Sequence, residues 1–470
     1  MKKSALLACY LLWAAFLSAQ AEEVHPLGVW DSDTVPVSVI GEKYNDCWGF
    51  VHNGVEYGVI GSTLGTHIID INTMQQVAFV KGSSYGTGII HRDFKTYDHY
   101  LYAVSDENAD GTATLQVIDF SYLPDSVHVT YDSYQYMNRA HDCWVDTSRA
   151  KLYTCGVRKI ANGGGWASFQ IFDLAPDPAH PVWLRDANNF ADGQSIPYIH
   201  DLYVRNDTAF LNCGFDGLYV ADCSNPDSII LLGTMTDYPQ KGYNHSGWWD
   251  VAGQYYYMAD ETHGMDLKVV QTDDLTDLSV VATFNSESPA STRIPHNLIW
   301  REDVVYVSYY YDGYQAFDVR DPLHPKRVAY YDTYAGPDGQ GYEGAWGVYP
   351  LLPSGRVLIS DMLSGLFVFP PVQLPVATRE PLRPAGKLTL VPNPARLGEE
   401  VEIVFRTFRP DRFTLLVTDV SGRAVYQKRL DLAPGRHRLR IEGTSKWPPG
   451  MYIVRLASDG RVLRARWVRQ

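Results

Sequence analysis

The chain has 470 residues, a net charge of −14 and an aromatic content of 13%. That charge repels phosphate backbones and argues against a nucleic-acid partner. The absence of a Cys-x-x-Cys pair argues against a thiolate zinc site.

Residues 1–21 read as a secretory signal peptide. Lys2-Lys3 supply the charge, Ala5 to Leu17 the apolar core, and Ala19-Gln20-Ala21 a small-x-small cleavage site. No further run is apolar and long enough to span a bilayer, so no transmembrane segment is expected once the signal is removed.

From residue 22 to 370 a short pattern recurs: a polar residue, two variable residues, then usually an aromatic. Copies begin at Asn45, His91, His141, His200, His245, His296 and Glu343, at steps of 46, 50, 59, 45, 51 and 47 residues. A period of this size marks a repeat architecture. Each copy opens a strand-like run such as Asp142-Cys143-Trp144-Val145. A second run follows, as in Leu101-Tyr102-Ala103-Val104, and then a third that ends in aspartate in most copies, at Asp70, Asp119, Asp173, Asp222 and Asp318. Gln271 and Pro370 stand there in the other two. A fourth run comes after a proline turn, as in His324-Pro325-Lys326-Arg327-Val328-Ala329-Tyr330. Four short β-branched and aromatic runs per repeat predict one propeller blade. The seventh repeat lacks a fourth run of its own. His25-Pro26-Leu27-Gly28-Val29-Trp30 is expected to supply it and so close the ring.

The third run and its proline turn (Cys223-Ser224-Asn225-Pro226; Val319-Arg320-Asp321-Pro322) resemble the LVIVD repeat. Residues 25–370 resemble the secreted choice-of-anchor B proteins. The resemblance implies a β-propeller exported to the cell surface and carries no established activity.

Residues 371–387 are rich in proline and read as a linker. Residues 388–470 alternate apolar and polar positions and predict a small β-sandwich, so the expected fold is all-β, a seven-bladed β-propeller followed by a small C-terminal domain. Three landmarks resemble the C-terminal sorting domain of type IX secretion cargo: Val391-Pro392-Asn393-Pro394, Val417 to Arg423, and Pro449 to Arg455. The resemblance implies the type IX secretion machinery as a partner. It also implies a protein secreted from, or attached to the outer surface of, a Gram-negative, Bacteroidetes-like cell, with removal of the tail. Residues 381–470 hold 18 Lys and Arg against 8 Asp and Glu, so residues 1–380 carry a net charge of −24. Five cysteines follow the signal, and Cys143 and Cys155 fall on neighbouring strands where they can pair.

The first strand of a propeller blade lines the central axis. The repeat-opening residues His91, His141, His200, His245, His296 and Glu343 are therefore expected to converge at one mouth as a metal-ligand set, with Asn45 completing the ring. Loops after the second strands open on the same face and carry Asp106, Glu107, Asp260, Glu261 and Asp361 as candidate ligand-binding groups. Imidazole is the commonest metal ligand, and carboxylates serve as ligands or orienters. The set points to one transition-metal ion or calcium without naming it, or to a small-molecule or surface ligand. A metal-dependent oxidoreductase or hydrolase at the same face is the alternative. An adhesion or scaffold protein with a purely structural histidine ring is a third reading.

Overall fold

The computed structural model of the chain describes residues 21–374 and 388–470, apart from 162, 397, 408–410, 420–422, 434 and 459–460. Nearly all of the expected signal peptide and most of the expected linker lie outside the described residues.

Seven antiparallel sheets, each with four consecutively paired strands, follow one another from Gly28 to Phe369. Their first strands are Tyr44–His52, Arg92–Tyr97, Asp142–Asp146, Asp201–Arg205, Asn244–Trp249, Leu298–Arg301 and Ala345–Tyr349. Each first strand packs against those of the sheets before and after it, and the seventh packs against the first. The sheets therefore stand as blades around one axis. Side chains from facing blades form the core, as where Tyr153, Phe169 and Ile171 of the third meet Leu202, Val204 and Leu211 of the fourth.

The aspartate that ends the third strand has a local cause. Its carboxylate accepts the backbone N–H two residues on: Asp70 from Asn72 (2.8 Å), Asp119 from Ser121 (2.8 Å), Asp173 from Ala175 (2.9 Å), Asp222 from Ser224 (2.8 Å) and Asp318 from Arg320 (3.0 Å). This is an Asx turn, which reverses the chain toward the fourth strand. The third and fourth strands also slip by a bulge in the first six blades, which adds local twist.

The seventh blade takes its outer strand from the other end of the chain. Gly28–Trp30 pairs antiparallel with Gly365–Phe369. Glu22–Glu23 pairs parallel with Lys326–Tyr331 of the sixth blade, so the segment from Glu22 to Trp30 ties two blades together. Gly365 sits at this seam with φ of +92°, and a Cβ there would lie 2.0 Å from the Trp30 carbonyl oxygen. Gly365→Ala is expected to cost roughly 1–2 kcal/mol in backbone strain before the clash is counted. A lowered urea midpoint, with proteolysis starting near residue 30, is the expected readout.

The C-terminal residues form two packed sheets, as expected. One joins Thr389–Val391, Val401–Thr407 and Gly435–Ile441; the other joins Ala424–Leu432, Asp411–Asp419, Gly450–Ser458 and Arg461–Arg469. Ile403, Phe405, Leu415, Val417, Val454 and Trp467 fill the space between them. The first landmark clamps the last strand: Trp467 Nε1 donates to the Pro392 carbonyl (3.2 Å) and Val468 N to Asn393 Oδ1 (3.0 Å).

The Cys143–Cys155 pair that neighbouring strands allow is not made. Cys143 stands opposite Thr154, and Cys155 opposite Asp142. The two thiols are one register position apart and face opposite sides of the sheet. All five cysteines after residue 21 are free and buried. Among the described residues no helix is long and apolar enough to cross a membrane.

Candidate functional site

The five repeat histidines stand at or just before the starts of the inner strands, where the chain enters the axial wall. His141 N and His200 N still donate to the second strand of their own blade, to the carbonyls of Cys155 (2.9 Å) and Asn212 (2.8 Å). Their imidazoles therefore project inward from an ordered backbone. Ring centroids run His91–His141 5.0 Å, His141–His200 4.0 Å, His200–His245 4.3 Å and His245–His296 4.4 Å. Trp346 closes the circle, 4.8 Å from His296 and 5.1 Å from His91.

Two expected members do not join. Glu343 is exposed and accepts the hydroxyl of Tyr334 (2.6 Å) and that of Tyr311 (3.3 Å). A bulge between Ala345 and Val348 re-aims that strand, so Trp346 takes the inward position instead. Asn45 is buried behind the circle, its amide donating to the Ile90 carbonyl (2.9 Å).

The carboxylates divide the same way. Asp106, Glu107 and Glu261 reach the histidines. Asp106 accepts His141 Nδ1 (2.9 Å) and is also held by Arg139 (3.1 Å). Glu107 is bonded to His91 Nδ1. Glu261 lies 3.7 Å from His245 Nε2 and accepts the Tyr310 hydroxyl (2.6 Å). Asp260 and Asp361 stay apart. Asp260 forms a buried ion pair with Lys268 (2.8 Å). Asp361 accepts from Thr333 (2.9 Å) and from the backbone of Leu363 and Ser364, fixing a loop.

Burial sets the protonation of this mouth. It pushes the imidazoles of His200 and His245 well below their ordinary values, helped by the neighbouring histidines. It pushes His296 down to about 3, although Nδ1 bonds to the Trp346 carbonyl (2.5 Å). These three rings are neutral and keep a free lone pair, the form that binds metals. His91 differs: burial opposes its charge, but Glu107, Asp106 and Glu261 outweigh burial and raise it. Glu42, pushed up to about 8 by burial and by the charges of Glu107 and Glu343, adds another carboxyl.

Two sets of ligand atoms each gather within 4.8 Å: His91, Asp106 and His141, and His200, His245 and Glu261. The cavity that the five histidines line has a volume of about 80 Å³. Pockets for drug-sized molecules run to about 300–1,000 Å³, so the space suits ions and a few waters.

Sequence reading missed the layer below. Asp46, Asp93, Asp142 and Asp201 line the same cavity, one from each of the first four blades. Asp93 accepts Lys95 Nζ (2.7 and 2.8 Å) and Cys143 N (2.9 Å), and Asp142 accepts Leu202 N (3.3 Å), so two of them staple neighbouring blades. Burial and the charges beside them push Asp46 and Asp142 well up, and Asp201 up to about 6. Burial opposes the charge of Asp93 too, but Lys95 overrides it and holds that carboxyl low. The Lys95 ammonium lies 4.8 Å from the Trp48 ring and 5.7 Å from that of Trp144, which places it between the histidine mouth and a second hollow of about 380 Å³. The aspartates that follow the opening residue, as in His141-Asp142 and His200-Asp201, were the available signal.

No curated protein matches the chain in sequence. The structure of the RRP9 WD40 repeats aligns with 75% of this chain and 99% of its own, at 7% identity and a TM-score of 0.51, which supports the propeller fold. Two further alignments are looser. The Myceliophteria thermophila Cps50 (Swd1) β-propeller domain aligns at 10% identity and TM-score 0.47, over 69% of this chain and 96% of that one. PorZ, a surface component of the type IX secretion system of Porphyromonas gingivalis, aligns at 12% identity and TM-score 0.35, over 90% of this chain and 51% of that one. Residues 389–470 match the secretion system C-terminal sorting domain family. The chain is thus a β-propeller bearing a type IX sorting domain, secreted from or attached to the outer surface of a Bacteroidetes-type cell.

Proposed function

We propose that this exported protein is a propeller of the LVIVD, choice-of-anchor B kind, made with a cleaved signal peptide, whose axial mouth binds a metal ion. The observation that carries the reading is the pair of histidine–histidine–carboxylate groups, each within 4.8 Å, at one end of the axis. The donor set favours a transition metal over calcium, because imidazole suits zinc, copper, iron and nickel while calcium takes oxygen ligands. The small cavity favours an ion over an organic ligand.

A metal-dependent hydrolase or oxidoreductase is the second reading. Three protein ligands per group is the number that catalytic zinc sites use, leaving a fourth position for water or substrate.

Elemental analysis of the purified mature protein is expected to find a bound transition metal. Stripping it should lower the unfolding temperature, and Zn²⁺, Mn²⁺ or Cu²⁺ should restore it better than Ca²⁺. A metal-free protein whose unfolding ignores all four ions would end the metal reading and leave the scaffold role.

A further inference from the structure

We infer that the mouth holds two metal ions side by side, one in the His91, Asp106, His141 group and one in the His200, His245, Glu261 group. This rests on the metal reading above and goes beyond its single ion.

The two groups share no residue, and each closes on itself within 4.8 Å. Ligand atoms of a tetrahedral ion lie about 3.4 Å apart when metal–nitrogen bonds are about 2.1 Å, so each group must draw in by up to about 1.4 Å to hold its own ion. The groups adjoin through His141 and His200, whose ring centroids are 4.0 Å apart.

The second group is the readier of the two. Glu261 faces Nε2 of His245 at 3.7 Å, too long for a hydrogen bond, so an ion seated between them breaks none. Glu261 is already oriented by Tyr310. In the first group an ion must displace the His141–Asp106 hydrogen bond. The second group should therefore fill first, with the two steps about tenfold apart, the fold-change that one such hydrogen bond is worth.

The test is titration of the metal-free full chain with Zn²⁺ against a chromophoric chelator. Two ions per chain are expected. Glu261→Gln should abolish the tighter step and Asp106→Asn the weaker one. A count of one ion, lost in either variant, overturns the two-ion inference and leaves the single-ion reading standing. No bound ion overturns both. Two ions retained in both variants overturns the assignment of residues. Should a variant fail to fold, dipolar coupling between two Cu²⁺ ions in the unaltered chain, read by electron paramagnetic resonance, gives the count directly; an uncoupled signal from one ion overturns the inference.

Discussion

Asp260→Ala is expected to destabilise the propeller by about 3–5 kcal/mol, a large share of the roughly 5–15 kcal/mol that a folded domain has to lose. Asp260 and Lys268 are both fully buried and pair at 2.8 Å. Burial already disfavours the Lys268 ammonium, and Asp260 is what opposes that. Removing the carboxylate strands the charge. Asp260 also accepts the Tyr238 hydroxyl (3.0 Å), Gly242 N (2.8 Å) and the Asn244 amide (3.3 Å), so it holds the segment that delivers His245 to the axis. The reverse change, Lys268→Met, should cost less, because those three neutral donors remain on Asp260. Urea midpoints of the two variants check the asymmetry. Equal losses, or a larger loss for Lys268→Met, would contradict it.

The second large effect is on metal response. His141→Ala combined with His245→Ala removes one nitrogen from each group. A ligand present at 100 times its dissociation constant stabilises the folded state by about 2.7 kcal/mol, and the double variant is expected to lose that gain altogether. Its metal-free form should still unfold in one cooperative step. The strands behind both residues keep their ladders. Glu343→Gln, outside the circle, serves as the control and should respond to metal as the parent does. Calorimetric melting with and without Zn²⁺ reads all three proteins. A double variant that fails to fold while Glu343→Gln behaves normally would favour a structural ring.

Much of the architecture was legible because the repeat writes the same physics several times. The third-strand aspartates mark Asx turns, and the spacing of the residues that open each repeat located the blades. The five histidines were legible for the same reason. What could not be read was which polar residues point inward once bulges intervene. Glu343 occupies the histidine position in sequence, yet the bulge after Ala345 hands that place to Trp346. Asp260 and Glu261 are adjacent, but neighbouring residues point to opposite sides of an extended chain, so only Glu261 reaches the mouth. The aspartate layer escaped notice because a buried carboxyl tied to the next blade looks, in sequence, like any loop acid. The cysteines misled for a similar reason: proximity was readable, and the face each thiol takes was not.

The seam between Gly28–Trp30 and Gly365–Phe369 has a bearing on how the molecule is made. Gly28–Trp30 is synthesised long before Gly365–Phe369 and must wait for its partner until the rest of the propeller has followed. Shutting so long a loop costs entropy that is recovered only at the last moment, which slows maturation. Such a delay makes closure of the ring, rather than the forming of any single blade, the step that locks the propeller.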